Sequence, residues 1–315
     1  MKLTLCTSAI LAALISGSVH ATTDDFSFHH EVGASFNSQS DALDDGLWNV
    51  GYRYYINAID TSKGPFALNS FLGQSTNLGA SYSSASAIDD IHTYSIDGTY
   101  VFDSKWFVGV NYGYVDQQSF SSDSVNLYGF NAGYYLNPTS ALWVSYNTID
   151  ASPQNESYNS TTFKSTESHD SYGLHARTFI PLPRFSGVDV RASWQYDDNE
   201  SRSSYASDDT VFNAINNTSN SHRISLDADW YITREWSVGA GYLWNNGESE
   251  GEYRSGDQIT TFNFDSSNSV YSISTAYWWQ ISRQFSLQFS ASQLFNSDAN
   301  ANDDLYVGIQ AQGRI

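Results

Sequence analysis

Between Ser269 and Phe295 the chain alternates. Tyr271, Ile273, Thr275, Tyr277 and Trp279 are separated by Ser272, Ser274, Ala276, Trp278 and Gln280. After a short polar break, Phe285, Leu287, Phe289 and Ala291 are separated by Ser286, Gln288 and Ser290. A period of two predicts strands on both sides of a tight turn. The unit recurs. Tyr94 to Phe102 and Trp106 to Tyr114 flank Asp103-Ser104-Lys105. Tyr128 to Leu136 and Leu142 to Tyr146 flank Asn137-Pro138-Thr139-Ser140. Tyr172 to Ile180 and Val188 to Tyr196 flank a turn over Pro181 to Gly187, and Ile224 to Ile232 and Trp236 to Trp244 flank Thr233-Arg234-Glu235. Strands over Phe26 to Phe36, Trp48 to Ile56, Thr76 to Tyr82 and Leu305 to Ile309 bring the total to about fourteen, each of about ten residues.

The connections alternate in length. One set is short. The other is long, polar and acidic: Ser38–Asp45, Ser84–Asp90, Asp150–His169, Asp197–Ser221, Gly247–Asn268 and Asn296–Asp303. A soluble sandwich has no reason to sort its loops this way, whereas a bacterial membrane barrel does, with the short side periplasmic. The aromatic residues also sort by height. Phe102, Trp106, Trp230, Trp236, Trp279 and Phe285 lie near short turns, and Tyr114, Tyr128, Tyr172, Tyr196, Trp244 and Phe295 near long loops. Two such belts match the girdles at two membrane interfaces. The pattern predicts an all-β fold: a transmembrane antiparallel up-and-down β-barrel with short periplasmic turns and long extracellular loops. One connection breaks the rule. Residues 57–74 should form a short turn but carry Pro65, Phe66, Leu68, Phe71 and Leu72. They read as a small helix near the periplasmic rim, either an apolar patch packed on neighbouring turns or a plug.

Composition narrows the compartment. Lys2, the apolar run Leu3–Ile15 and Val19-His20-Ala21 predict a secretory signal peptide over residues 1–21, leaving 22–315 as the barrel. Cys6, the single cysteine, lies in the part to be removed, so the exported chain would have no thiol, disulfide or Cys-based metal site. No later apolar run approaches the ~18 residues of a membrane helix, and the mean hydropathy is −0.40. A net charge of −20 argues against nucleic acid.

The faces opposite the apolar ones carry most of the strand charge, which costs little in a wet lumen and several kcal/mol in lipid, about 2–4 for Arg at mid-depth. The expected pore-lining residues are Glu31, Arg53, Asp97, Asn111, His175, Arg177, Asp189, Arg191, Arg223, Asp227 and Asp229, with His29 and Asn131 in the same phase. Arg177, Arg191 and Arg223 are expected as a basic ladder beside Asp189, Asp227 and Asp229. Such charges either set selectivity or pair and hold the wall. The loop acids, among them Asp41, Asp44, Asp45, Asp89, Asp90, Asp208 and Asp209, would form a negative vestibule that favours cations. The histidines stand without a Ser or Asp at a telling spacing, and no G-x-S-x-G, H-E-x-x-H or phosphate-loop motif occurs. No enzyme, metal site or cofactor is expected.

Tyr52 to Ser84 (YRYYINAIDTSKGPFALNSFLGQSTNLGASYSS), YYLNPTSALWVSY and WYITREWSVGAGY resemble the porin family of gammaproteobacteria, and the likeness extends over the whole exported chain. It implies an outer-membrane porin-like channel for passive diffusion of small hydrophilic solutes or ions. Its partners would be outer-membrane lipids and lipopolysaccharide, those solutes or ions, and the barrel assembly machinery, in a monomer or homotrimer. The end Gln312-Gly313-Arg314-Ile315 departs from the Phe or Trp with which such barrels usually finish. A barrel acting through its loops as adhesin or receptor, without an open pore, is the alternative.

Overall fold

The computed structural model describes residues 26–85, 91–117, 124–151, 154–158, 161–207, 210–296 and 304–315. The predicted signal peptide and parts of the Ser84–Asp90 and Asn296–Asp303 loops lie outside them. The strands in chain order are β1 (Ser27–Gln39), β2 (Leu47–Asp60), β3 (Asn77–Ala85), β4 (Ile91–Val101), β5 (Trp106–Gln117), β6 (Ser124–Asn137) and β7 (Ser140–Ala151). Then follow β8 (Gln154–Tyr158), β9 (Thr161–Ile180), β10 (Gly187–Ser207), β11 (Thr210–Tyr231), β12 (Trp236–Ser255), β13 (Gln258–Gln280), β14 (Phe285–Asn296) and β15 (Leu305–Arg314).

Strands pair antiparallel with their sequence neighbours except that β7 and β8 both pair with β9, and β15 returns to β1 from Glu31 opposite Arg314 to Gln39 opposite Tyr306. The sheet therefore closes and leaves no edge for another chain to extend. Short β8 continues the line of β7 against the upper half of β9, so the ring has fourteen places. The expected strand count and closure hold.

Apolar side chains point out of the ring. Val110, Leu174, Ile273 and Trp48 are all more than half exposed. In water such a surface would aggregate; in lipid it is the favoured one. The faces do not alternate cleanly in β1. A bulge between Phe28 and His30 shifts the register: Phe28 turns inward and is buried, while His29 and His30 lie exposed against Tyr54. The expected inward placement of His29 is thus wrong, because the extra β2 residues between Tyr54 and Ile59 reset the phase.

The long polar side also differs from expectation. The described residues of Asp150–His169, Asp197–Ser221 and Gly247–Asn268 are mostly strand rather than irregular loop, and β9 to β13 run 20 to 23 residues each; Asp208 and Asp209 lie outside the described residues. Gly256, at φ 59°, makes the two-residue turn between β12 and β13. Above the membrane both faces meet water, so period-two hydrophobicity disappears while backbone pairing continues. The extra ten or so residues add roughly 30 Å of strand on one side of the barrel.

Candidate functional site: a charged lumen and the segment that crosses it

The segment between β2 and β3 does not stay at the rim. Asn57 and Ser75 close its base, with the Asn57 N–H donating to Ser75 Oγ at 3.0 Å and Ser75 Oγ donating back to Asn57 O at 2.9 Å. Between them lie two 3₁₀ turns, Thr61–Lys63 and Phe66–Leu68, and the one-turn helix α1 (Asn69–Gly73). Asp60 caps the first turn by accepting the Ser62 N–H at 2.9 Å. Gly64, at φ 150°, packs where a Cβ would come 2.7 Å from Leu72. These features fold the chain back on itself rather than letting it trail as a loop.

Its apolar residues cross the barrel. Leu68 and Leu72 form a buried cluster with Phe179 of β9 and Tyr231 of β11, and Phe71 packs against it. Those strands flank β10, which is seven places from β2 in either direction around the ring. The segment that leaves β2 therefore touches the opposite wall. Arginines pin it on several sides. The Arg177 guanidinium lies 4.5 Å from the centre of the Phe71 ring. Arg234, in the β11–β12 turn, lies 4.8 Å from that of Phe66 and donates to Gly64 O at 3.1 Å and to Thr61 O. Arg314 of β15 donates to Asn69 Oδ1 at 3.1 Å, Phe66 O at 3.0 Å and Glu31 Oε2 at 3.1 Å. Gln74 reaches Asn137 O in the β6–β7 turn at 2.9 Å. The segment packs on the β6–β7 and β11–β12 turns and also reaches inside and across the ring, so it folds over the short-turn end of the lumen.

The wall beneath it is apolar where Gly, Ser, Asn and charge were expected. Phe28, Tyr55, Phe107, Phe179, Tyr231 and Trp278 are all buried at the short-turn end. The signal was present. Tyr54-Tyr55, Trp106-Phe107, Tyr134-Tyr135, Trp230-Tyr231 and Trp278-Trp279 are aromatic doublets beside short turns. In a strand, consecutive side chains face opposite ways. A doublet therefore puts one ring in the lipid girdle and one inside.

Higher in the lumen the expected charges fall into two groups on opposite walls. On β9 to β11, Arg177 grips Asp189 with two hydrogen bonds of 3.0 Å. Arg191 bonds Asp229 at 2.6 Å and lies 3.9 Å from Asp189. Asp189 is fully buried. Asp227 stands opposite Arg191 in the register. The basic ladder is thus a chain of alternating sign, and Arg223 is not part of it. Its register partner is Gln195, four residues beyond Arg191 along β10, and it is exposed. On β1 to β4, Arg53 bonds Asp97 at 2.7 and 2.9 Å and also reaches Asn77. Gly79 makes room, since a Cβ there would lie 2.7 Å from Asp97 Oδ1 and 2.8 Å from Arg53 Nη2. Asn111 is register partner to both Asp97 and Gly129.

Two histidines gain partners that their spacing hid. His175 Nε2 lies 2.9 Å from Ser145 Oγ and its ring stacks on Trp143 at 5.0 Å. His169 lies 3.5 Å from Asp197. The other ring nitrogen of His169, Nδ1, meets Asn199 Oδ1. Among the described residues no cluster of three or more His, Cys, Asp or Glu could hold a metal ion.

The fold is similar to that of the outer-membrane protein Omp33 of Acinetobacter baumannii, at TM-score 0.52 and 16% identity, covering 92% of this chain and 99% of that one. The alcaligin receptor FauA of Bordetella pertussis matches at TM-score 0.47 and 12% identity, covering 90% and 48%. A loop-deleted OmpT of Vibrio cholerae matches at 0.40 and 9%, covering 92% and 99%. These last two are too distant to add to the argument. No curated protein matches in sequence. A family model described as "Putative general bacterial porin" matches residues 1–312. A closed, edge-free barrel with grease outside and charge within is what that match requires, and the chain belongs to this family of general bacterial porins of the outer membrane.

Proposed function

We propose that the protein is an outer-membrane channel for passive diffusion of small hydrophilic solutes or ions, exported by the signal peptide over residues 1–21. Its periplasmic mouth is held shut by the 61–76 plug in the conformation described. The observation that carries this reading is the charged lumen ending on a folded segment that is packed against the wall rather than built into it. Passage then requires the plug to shift, and its anchors at Asn57 and Ser75 form a hinge at one side of the mouth.

The channel prefers cations, and the preference resides at the extracellular rim. On the inward faces Glu31, Asp97, Asp189, Asp197, Asp227 and Asp229 meet Arg53, Arg177, Arg191, Arg223 and Arg314, a near balance of sign. The extended strands by contrast carry Asp198, Glu200, Glu248, Glu250, Glu252 and Asp265. Acids there enrich cations within a Debye length, about 8–10 Å.

Planar-bilayer recording tests this reading. Wild type is expected to open rarely. A variant with residues 66–73 replaced by a Gly/Ser linker is expected to give long, stable steps. A correctly inserted linker variant that stays silent overturns the channel reading. That outcome favours the second reading, a barrel that acts as adhesin or receptor through its tall side. The observation behind that alternative is the same plug together with the high wall of β9 to β13.

A further inference from the structure

We propose that the lumen wall of β15, β1, β2, β3 and β4 carries a binding subsite for small solutes bearing a primary ammonium group, immediately above the plug. This deepens the channel reading and rests on it for its biological role. A cavity of about 290 Å³ opens there, lined by Glu31, Arg53, Asp97, Gln310 and Gln312 among others. That volume suits an alkylammonium, a small amino acid or a similar solute.

The chemistry of the lining selects for a hydrogen-bond donor of positive charge. Arg53 has already committed its guanidinium to Asp97 and Asn77. Of the lining acids, Asp97 is held by Arg53, and Glu31 keeps one oxygen on Arg314. Gln312 is only 5% exposed, yet its Oε1 has no hydrogen-bond partner among the described residues. A buried amide oxygen without a donor is costly and rare. A ligand N–H in the cavity would supply the donor once the Gln312 amide turns its oxygen toward the opening. Gln312 stands opposite Gly33 in the β1–β15 ladder, one inward place from the Glu31–Arg314 pair, so acceptor and carboxylate are neighbours on one face.

The subsite also adjoins the plug's latch. Arg314 holds Glu31 with one edge and Asn69 and Phe66 O with the other. An ammonium at Glu31 competes with Arg314 for that carboxylate and removes one of its anchors. Solute arrival above the plug is thereby coupled to loosening of the segment below.

Isothermal titration of the full chain in detergent micelles tests the subsite without requiring conduction. The probes are n-propylammonium, 1-propanol and tetramethylammonium, which separate charge from N–H donation. Saturable one-site binding is expected for propylammonium, about tenfold weaker for tetramethylammonium and absent for propanol. Gln312→Met, which leaves the Arg314 bonds to Glu31, Asn69 and Phe66 in place, should weaken binding about tenfold, as should Glu31→Gln, whereas Ser193→Ala on the opposite wall should not. Heat-modifiable gel mobility verifies that each barrel is closed. Equal binding of the three probes, or undiminished binding by Gln312→Met, overturns the proposal. A barrel that binds but never conducts removes the channel reading alone; one that conducts without binding removes the subsite alone.

Discussion

Val110 and Asn111 are adjacent in β5 and meet different solvents. Val110 is 61% exposed on the outer face, and Asn111 looks into the ring beside Asp97. In lipid, Val110→Arg should cost roughly 2–4 kcal/mol, read from urea unfolding in vesicles, while Asn111→Arg should cost far less because water and Asp97 are within reach. If Asn111→Arg proves the more damaging, the faces are reversed. Arg314 is the other decisive residue. It is 7% exposed, holds the plug and Glu31, and lies over the rings of Phe28 and Trp278 at 5.0 and 5.8 Å. Arg314→Met removes one partner of a buried pair, so a loss of about 3 kcal/mol is expected, accompanied by more frequent channel opening. Unchanged opening would mean that Arg314 serves the β1–β15 seam and not the plug. At this scale the outward residues were legible, because apolar side chains repeat every second place. The inward aromatics were hidden by the same rule: read as an alternation, a doublet such as Trp278-Trp279 looks like an interruption.

At the scale of elements, the strands divide into a part written by lipid and a part written by backbone pairing. In β12, Trp236 to Trp244 alternate, and beyond them Asn246 to Arg254 show no apolar period although the ladder with β11 and β13 continues. The upper hairpin should therefore be dispensable. Deleting residues 248–265 and rejoining β12 to β13 should leave a heat-modifiable barrel of undiminished thermal stability; a chain that no longer inserts would show that the tall wall is part of the folding unit. The plug is the opposite case. Its helix was visible as Phe66, Leu68, Phe71 and Leu72 in a connection too long for a turn. Its location was not, because nothing local says that Phe179 and Tyr231, more than a hundred residues later, face the same space.

For the molecule as a whole, closure decides the electrostatics. Charges that look like a basic ladder along the chain become Arg177–Asp189–Arg191–Asp229 once β9, β10 and β11 lie side by side. Paired in this way, they brace three neighbouring strands against one another. In a salt gradient, Asp227→Asn with Asp229→Asn should leave the sign of the reversal potential cationic, whereas removing the 248–265 hairpin, with Glu248, Glu250, Glu252, Asp257 and Asp265, should move it toward zero. The reverse pattern would place selectivity in the lumen.

The amino-acid sequence by itself determined the membrane-spanning strands, their number and which face of most of them meets lipid. Each of these follows from a two-residue period and from turn chemistry, which act over a few neighbouring positions. Only the tertiary structure decided what occupies the lumen. Ring closure brings β2 opposite β10, pairs Glu31 with Arg314 across 283 positions of chain, and gives the 61–76 segment an apolar collar to fill. Those contacts depend on where the wall curves back to meet itself, a property that no short window of sequence contains.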